Sequence, residues 1–181
     1  MKQWSIAVAL LAATAVIQAY ALTYFRVADV RFDLMMALLI AWAFTRGIEE
    51  AMVVVPLGGF MVSFFSQEPL GASVLGYAAI VPLATLRDLR FVEYESLVAA
   101  AVALAATFVQ TIIYLVVLRG TGLSPDWSRG LIEVAIPAAF MNMVAAPLAI
   151  AVFKRATSER RTYGAGPATA YRRTGRRLEL P

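Results

Sequence analysis

The sequence predicts an all-α integral membrane protein with about six transmembrane helices in an irregular, kinked bundle and both termini in the cytoplasm. Of the 181 residues, 61% are hydrophobic, against about 45–50% in ordinary soluble domains. The mean hydropathy is +0.73. The apolar residues form long runs with little charge, and about 20 such residues in a helix cross a bilayer core of ~30 Å.

Six apolar runs divide the chain: 4–24, 33–44, 48–65, 70–86, 97–118 and 131–153. Helices are predicted because a helix satisfies its own backbone in lipid, whereas barrel strands alternate in polarity over about 10 residues. The first run also suits a signal peptide, but it exceeds the ~7–15 apolar residues of such a segment. The second run covers only about 18 Å, so it is too short to span the bilayer unless residues 27–32 extend it or the helix lies shallow.

Basic residues in the loops predict the orientation, because cytoplasmic loops carry an excess of Lys and Arg. If six spans alternate, one side collects twelve basic residues: Lys2, Arg46, Arg87, Arg90 and eight in 154–181. The other side collects four: Arg26, Arg31, Arg119 and Arg129. Both termini are therefore predicted in the cytoplasm. Without residues 154–181 the count is four against four, so the prediction depends on them.

The predicted domain boundary lies at residue 155. Residues 1–155 form the polytopic transmembrane domain, and 156–181 form a basic, disordered cytoplasmic tail. Eight basic and two acidic residues in 154–181, without apolar periodicity, are typical of disorder. The preferred interpretation is that this charge fixes topology. The alternative is binding to anionic lipid, at about 1 kcal/mol per basic residue. Nucleic-acid binding is not predicted, since no aromatic-bearing module accompanies the charge.

The chain contains no cysteine and no histidine, which excludes thiolate nucleophiles, imidazole bases and the usual zinc or haem ligands. Charge within the runs is sparse. Glu49 and Glu50 begin the third run, and Glu133 lies near the start of the sixth. All three can reach headgroups or water. The sequence therefore predicts that the protein is not an enzyme and has no catalytic, cofactor-binding or metal-binding residues.

Asn142 is the most deeply placed strong hydrogen-bonding side chain, and an amide in lipid needs a partner on another helix. Ser63, Thr107 and Gln110 are the candidate partners. A substrate or ion site built by Glu133 with Asn142 is the functional alternative. We favour the structural one, an interfacial charge plus a helix–helix hydrogen bond.

Small residues and prolines predict how the helices pack. Ala9 with Ala13, and Ala15 with Ala19, repeat at a four-residue spacing that lets helices approach closely. These alanines either pack inside the bundle or form a docking face for a partner helix. Four prolines lie inside apolar runs and should kink their helices: Pro56, Pro82, Pro137 and Pro147. Kinked helices surround a ligand cavity or form an irregular scaffold.

The connection between the third and fourth runs resembles a known family. Gly59 and Phe60 are followed by apolar residues, a short polar turn and the sequence Pro69-Leu70-Gly71. Proline suits the first turn of a helix. The segment resembles the rod shape-determining MreD family, whose pattern runs Gly-Phe, an Asp, a short turn and Pro-Leu-Gly. Ser63 stands here in the position of that Asp.

The likeness to this family extends from Asp33 to Arg155. The family's last span carries an Asn, a later Pro and a basic end, which Asn142, Pro147 and Lys154 match. The resemblance implies a non-catalytic, multi-pass scaffold of the bacterial plasma (inner) membrane that helps to maintain rod shape during cell elongation. The implied partners are an MreC-like single-span protein, RodA and a class B penicillin-binding protein for peptidoglycan synthesis, MreB indirectly, and membrane lipids. Self-association stays open.

The MreD family is also similar in fold to the substrate-binding subunits of energy-coupling-factor vitamin transporters. Those six-helix proteins have an Ala-xxx-Ala docking face on the first span, so such a subunit is the alternative function. It should offer a polar pocket near the outer face. The outer polar cluster in this sequence consists of Asp126, Trp127, Arg129 and Glu133.

Overall fold

A computed structural model describes residues 2–21, 26–27, 30–31, 33–66, 71–88 and 95–164. The architecture is helical apart from one short antiparallel pairing of β1 (Arg26–Val27) with β2 (Val30–Arg31). The longer helices are α1 (Lys2–Val16), α2 (Leu34–Arg46), α3 (Ile48–Phe65), α6 (Glu95–Gly120) and α8 (Ile136–Gly164). The shorter ones are α4 (Ala72–Ala78), α5 (Ile80–Ala84) and α7 (Trp127–Arg129). Three further turns are π-helical (Ile17–Ala21 and Gly130–Ala135) or 3-10 (Thr85–Asp88).

The predicted helical architecture is confirmed, whereas the six crossings and the cytoplasmic termini stay predictions. Three helical stretches are long and apolar enough to cross a membrane: Ile48–Phe65, Glu95–Gly120 and Trp127–Ala156. Three apolar stretches are shorter: Trp4–Tyr20, Leu34–Arg46 and Ala72–Ala84. Each of the six predicted runs therefore corresponds to a helical stretch, and the long stretches have the length that a bilayer crossing requires.

Helix α2 lies in the centre of the bundle, packed against α1, α3, α5, α6 and α8. Nine of its thirteen residues are buried, so other helices, and not lipid, surround it. A helical extension of α2 towards residue 27 is not observed, because Val27 and Val30 pair between β1 and β2. At about 1.5 Å per residue, α2 is only about 20 Å long. A helix enclosed by protein need not match the bilayer thickness.

Two adjacent glycines let α3 approach two neighbours closely. A Cβ on Gly58 would lie 2.9 Å from Leu39 Cδ2 of α2. A Cβ on Gly59 would lie 2.7 Å from Val74 Cα, in the backbone of α4. Real Cβ atoms do not approach backbone atoms so closely, so any larger residue at 59 would push α3 and α4 apart.

The prolines interrupt helices as expected at two of their four positions. Pro82 cannot donate to the carbonyl of residue 78, and the fourth run breaks there into α4 and α5. Pro137 lies in the first turn of α8, directly after the π-helical turn. Pro56 and Pro147 lie inside continuous helices, α3 and α8. The bundle is therefore irregular mainly in its fourth and sixth segments.

Helix α8 carries a stripe of exposed apolar side chains at four-residue spacing, which begins in the preceding π-helical turn. The stripe consists of Ile132, Ile136, Phe140, Val144, Leu148 and Val152. Its opposite side buries Ala135, Ala139, Asn142, Ala146 and Ile150. This inverted distribution, with the largest apolar groups outside, suits a helix that faces lipid. The helix continues to Gly164, so the predicted domain boundary at 155 does not coincide with its end. Residues 165–181 of the predicted tail lie outside the described residues.

Four segments meet at one end of the bundle. The Trp42 ring packs edge-on against Phe153, with 5.4 Å between centroids. Lys154, directly after the sixth run, forms an ion pair with Glu95 at the start of α6. Trp4 and Arg46 line a common recess. The beginning of α1, the α2–α3 junction, the start of α6 and the last apolar turns of α8 therefore lie together. The opposite end of α2 begins at Asp33.

Candidate functional site

The strongest polar cluster in the described chain surrounds Asp33, the residue before α2. Its carboxylate accepts a hydrogen bond from the backbone N–H of Met36 at 2.9 Å, which caps the helix. A helix begins with N–H groups that have no partner within the helix, and an aspartate at this position satisfies one of them. Local sequence therefore explains why a carboxylate stands here.

Three side chains from three other segments also reach the Asp33 carboxylate. The Tyr77 hydroxyl of α4 lies 2.9 and 3.0 Å from its two oxygens. Gln18 Nε2, in the π-helical turn after α1, donates at 3.1 Å. Gln110 Nε2 of α6 donates at 3.3 Å. One carboxylate thus joins α1, α2, α4 and α6. We call Asp33, Gln18, Tyr77 and Gln110 the Asp33 network.

Both polar atoms of the Gln18 amide, Oε1 and Nε2, form hydrogen bonds in this network. Its Oε1 accepts from the backbone N–H of Met35 at 2.7 Å, so a second free N–H at the start of α2 gains a partner. Its Nε2 also lies 3.5 Å from the Tyr77 oxygen. Tyr77 is almost completely buried, whereas Gln18, Asp33 and Gln110 are half-buried.

The Asp33 carboxyl group is an acceptor surrounded by donors. An ionised carboxylate only accepts hydrogen bonds, and backbone, amide and hydroxyl groups of the chain supply four donors. Hydrogen bonds to a charged group are about twice as strong as neutral ones. Because the donors come from four segments, the arrangement holds helix ends together.

A second polar contact lies deeper between α6 and α8. Asn142 Nδ2 donates to Thr107 Oγ1 at 3.1 Å, and Thr107 donates to the Ala103 carbonyl at 2.7 Å. Met36 Sδ lies 3.6 Å from Asn142 Nδ2. Asn142 Oδ1 is buried and has no hydrogen-bond partner within the described part of the chain. This contact links α2, α6 and α8.

The predicted partners of Asn142 are therefore partly right. Thr107 is the partner. Gln110 is not, because its amide bonds Asp33. Ser63 is buried on α3, and its hydroxyl has no partner among the described residues. One turn separates Thr107 from Gln110 on α6, and the rotation of that helix decides which contact each side chain makes.

The outer cluster does not converge on a pocket. Asp126 caps α7 by accepting from the N–H groups of Ser128 and Arg129. Arg129 pairs with Glu133 at 2.9 Å, and both side chains are more than 60% exposed. The structure does not bring Glu133 together with Asn142, since each is bonded elsewhere and Asn142 is buried.

The residues of the Gly-Phe and Pro-Leu-Gly segment have different surroundings. Gly59 is the close contact between α3 and α4, and Phe60 is exposed. Gly71 precedes α4 with φ +93°, a left-handed conformation that favours glycine. Pro69 and Leu70 lie outside the described residues. Pro147 is half-buried inside α8.

The four alanines of α1 and its following turn do not share one environment. Ala15 is buried with Ala7 and Leu11 against the bundle. Ala9 and Ala13 are exposed, and Ala19 is half-buried. Packing inside the bundle, the first of the two alternatives for these alanines, therefore applies to Ala15. A docking face for a partner helix would consist of Ala9 and Ala13.

Sequence reasoning missed the Asp33 network. The pattern of apolar runs identifies Asp33 only as the start of a run and does not distinguish Gln18 or Tyr77 from their apolar neighbours. One signal was available in the sequence. Gln18, Tyr77 and Gln110 are each an isolated polar side chain inside an apolar run, and such side chains need partners in lipid. Their convergence on one carboxylate depends on tertiary packing.

Comparisons with protein-family models, curated proteins and solved structures find no match.

Proposed function

We propose that this chain is a non-catalytic membrane scaffold of bacterial cell elongation that assembles with an MreC-like single-span protein and, through it, with the peptidoglycan synthase. The resemblance of the Gly59-Phe60 and Pro69-Leu70-Gly71 segments to the MreD family suggests the identity. In this proposal the protein resides in the inner membrane and contributes helical surface to an assembly.

The scaffold function is supported by the observation that the polar side chains of the helices bond to one another. Asp33, Gln18, Tyr77 and Gln110 bond to one another, and Asn142 bonds to Thr107. These contacts orient helices, at about 0.6–2 kcal/mol each in a membrane protein. The exposed surface is apolar along α8, which suits contacts with lipid or with a partner's transmembrane helix.

The proposed topology has six crossings and cytoplasmic termini. The chain has no cysteine, so single introduced cysteines report their side of the membrane without background. A membrane-impermeant maleimide applied to intact spheroplasts should label Ser128→Cys and should label Ser158→Cys only after lysis. Labelling of Ser158→Cys in intact spheroplasts would contradict the orientation.

The proposed docking face for the MreC-like helix is the exposed Ala9–Ala13 side of α1. Helix α1 packs mainly against α3 and more weakly against α2, which leaves this side open in the isolated chain. Ala13→Leu should reduce co-purification of the MreC-like protein in mild detergent, because a bulky side chain prevents close helix approach.

Ala101→Leu provides the matched control, since Ala101 is an exposed alanine on α6. This variant should co-purify the partner as the parent protein does. Equal recovery with Ala13→Leu and Ala101→Leu would remove the α1 face from the proposal. A parent protein that recovers no partner above background would contradict the scaffold function itself.

The alternative function is a substrate-binding subunit of an energy-coupling-factor vitamin transporter. The half-buried amides of Gln18 and Gln110 beside Asp33 are the groups that would contact a polar ligand. Tight binding of a vitamin to the purified protein, weakened by Gln110→Leu, would favour this function over the scaffold.

A further inference from the structure

A recess lies at the end of the bundle opposite Asp33, where α2 passes into α3. Its lining consists of Trp4, Ala7, Trp42, Arg46 and Glu50. In the proposed topology this end faces the cytoplasm. The recess therefore lies at the level of the lipid headgroups in that leaflet, and the inference drawn from it rests on the membrane placement in the proposed function.

The recess presents one positive and one negative side chain that do not pair with each other. Arg46 ends α2, and Glu50 lies in the first turn of α3, so each charge suits the dipole of its own helix. Within the described residues neither side chain forms an ion pair. The Arg46 guanidinium lies over the Trp42 ring, 5.6 Å from its centroid. A cation and an anion are thus both available to a ligand.

The two tryptophans give the recess the character of a membrane interface. Trp4 is 45% exposed, and Trp42 is only 6% exposed. The indole N–H of Trp42 has no acceptor in the described chain. Tryptophan is enriched at headgroup level because its ring is apolar and its N–H is polar. Exposed apolar side chains of α1 and α3, such as Val8 and Met52, lie on the helices beside it and would contact acyl chains.

We propose that this recess binds the headgroup of an amine-bearing zwitterionic phospholipid, of the phosphatidylethanolamine class. The phosphate pairs with Arg46, and the primary ammonium donates to Glu50. A purely anionic headgroup would satisfy Arg46 but would be repelled by Glu50. A choline headgroup has no N–H donor for the Glu50 carboxylate. The opposite charges in one recess therefore select an ammonium with free N–H groups.

Native mass spectrometry of the full chain tests the proposal. The protein is extracted into detergent with equimolar phosphatidylethanolamine, phosphatidylglycerol and phosphatidylcholine, and the retained lipid is counted. We expect preferential retention of phosphatidylethanolamine. Arg46→Gln should lower this retention about fivefold, equivalent to about 1 kcal/mol. Glu50→Gln should shift the preference towards phosphatidylglycerol, because repulsion of the anion is removed.

Glu49→Gln is the matched control, since Glu49 is exposed beside the recess and does not line it; its retention should equal that of the parent. Equal retention of the three lipids by the parent protein would overturn the proposal, as would an unchanged preference in Glu50→Gln. Partner co-purification is measured on the same variants. Lipid selectivity without partner recovery would contradict the scaffold alone, and partner recovery without lipid selectivity would contradict the recess alone.

Discussion

Replacement of Asp33 by asparagine tests whether the Asp33 network holds the bundle together. Asparagine is almost isosteric and is itself a good helix N-cap, so the bond to the Met36 N–H can survive. The charge is lost, and one acceptor oxygen becomes an NH2 group. If the oxygen that Met36 and Gln18 share is kept, the NH2 group takes the place of Oδ2 and faces the donors of Tyr77 and Gln110.

The size of the effect follows from the bonds affected. A hydrogen bond to a charged group contributes about 1.5–3 kcal/mol net. One oxygen still accepts, so we expect Asp33→Asn to lose the equivalent of one or two such bonds, or about 2–4 kcal/mol of unfolding free energy. Tyr77→Phe removes a single donor and should lose about 1.5 kcal/mol.

Reversible unfolding in detergent measures the free energy of each variant. Asp126→Asn is the control, because Asp126 is also a helix N-cap but is exposed, and among the described residues its carboxylate bonds only to Ser128 and Arg129 in its own turn. A surface change of this kind should cost less than about 0.5 kcal/mol. The double variant Asp33→Asn with Tyr77→Phe should lose less than the sum of the single variants by about 1–2 kcal/mol, as contacting residues do.

Two results would refute this reasoning. If Asp33→Asn costs no more than Asp126→Asn, the carboxylate does not act as a charged acceptor for its four donors. If the two single changes simply add, to within about 0.3 kcal/mol, Asp33 and Tyr77 are not energetically coupled. In either case the contacts between α1, α2, α4 and α6 at this end would depend on apolar packing alone.

Three further predictions concern the packing of the helices. Gly59→Ala should lower the unfolding free energy by about 1–3 kcal/mol, because its Cβ would lie 2.7 Å from Val74 Cα. The control Gly120→Ala has nothing within 4 Å of its Cβ and should not destabilise the protein. Equal unfolding midpoints of the two variants would contradict the close contact. Gly71→Ala should lower the unfolding free energy by about 1–2 kcal/mol, because residue 71 has a positive φ. Gly71→Asn should lose much less, because asparagine tolerates that conformation. Identical melting of both variants would argue against backbone strain. Asn142→Leu and Thr107→Val should couple by about 0.6–1.7 kcal/mol, and additive losses in a double-mutant cycle would exclude their hydrogen bond.

Much of the fold could be predicted because it depends on local composition. The third run, 48–65, coincides with α3, and the fifth lies within α6. An apolar run of this length forms a helix wherever it lies in a bilayer, since only a helix satisfies its own backbone there. Pro82 marked the break of the fourth segment, and Asp33 marked the beginning of α2, for equally local reasons.

The candidate site could be predicted only in part. Asn142 was expected to bond across helices, and Thr107 was among its three candidates. The sequence does not contain the rotation of α6 that turns Thr107 towards Asn142 and Gln110 towards Asp33. Two side chains three residues apart on a helix point in directions that differ by about 60°, and only packing assigns each a neighbour.

The sequence by itself determined a membrane protein of apolar helices without thiol or imidazole chemistry, because hydropathy and residue types are properties of the chain. Only the tertiary structure decided that α2 is short, central and enclosed by other helices, and that Arg26–Val27 pairs with Val30–Arg31 instead of extending it. Only the tertiary structure also joined Gln18, Asp33, Tyr77 and Gln110, which are up to 92 residues apart in the sequence. Such contacts arise from the crossing and rotation of whole helices, which no local pattern specifies.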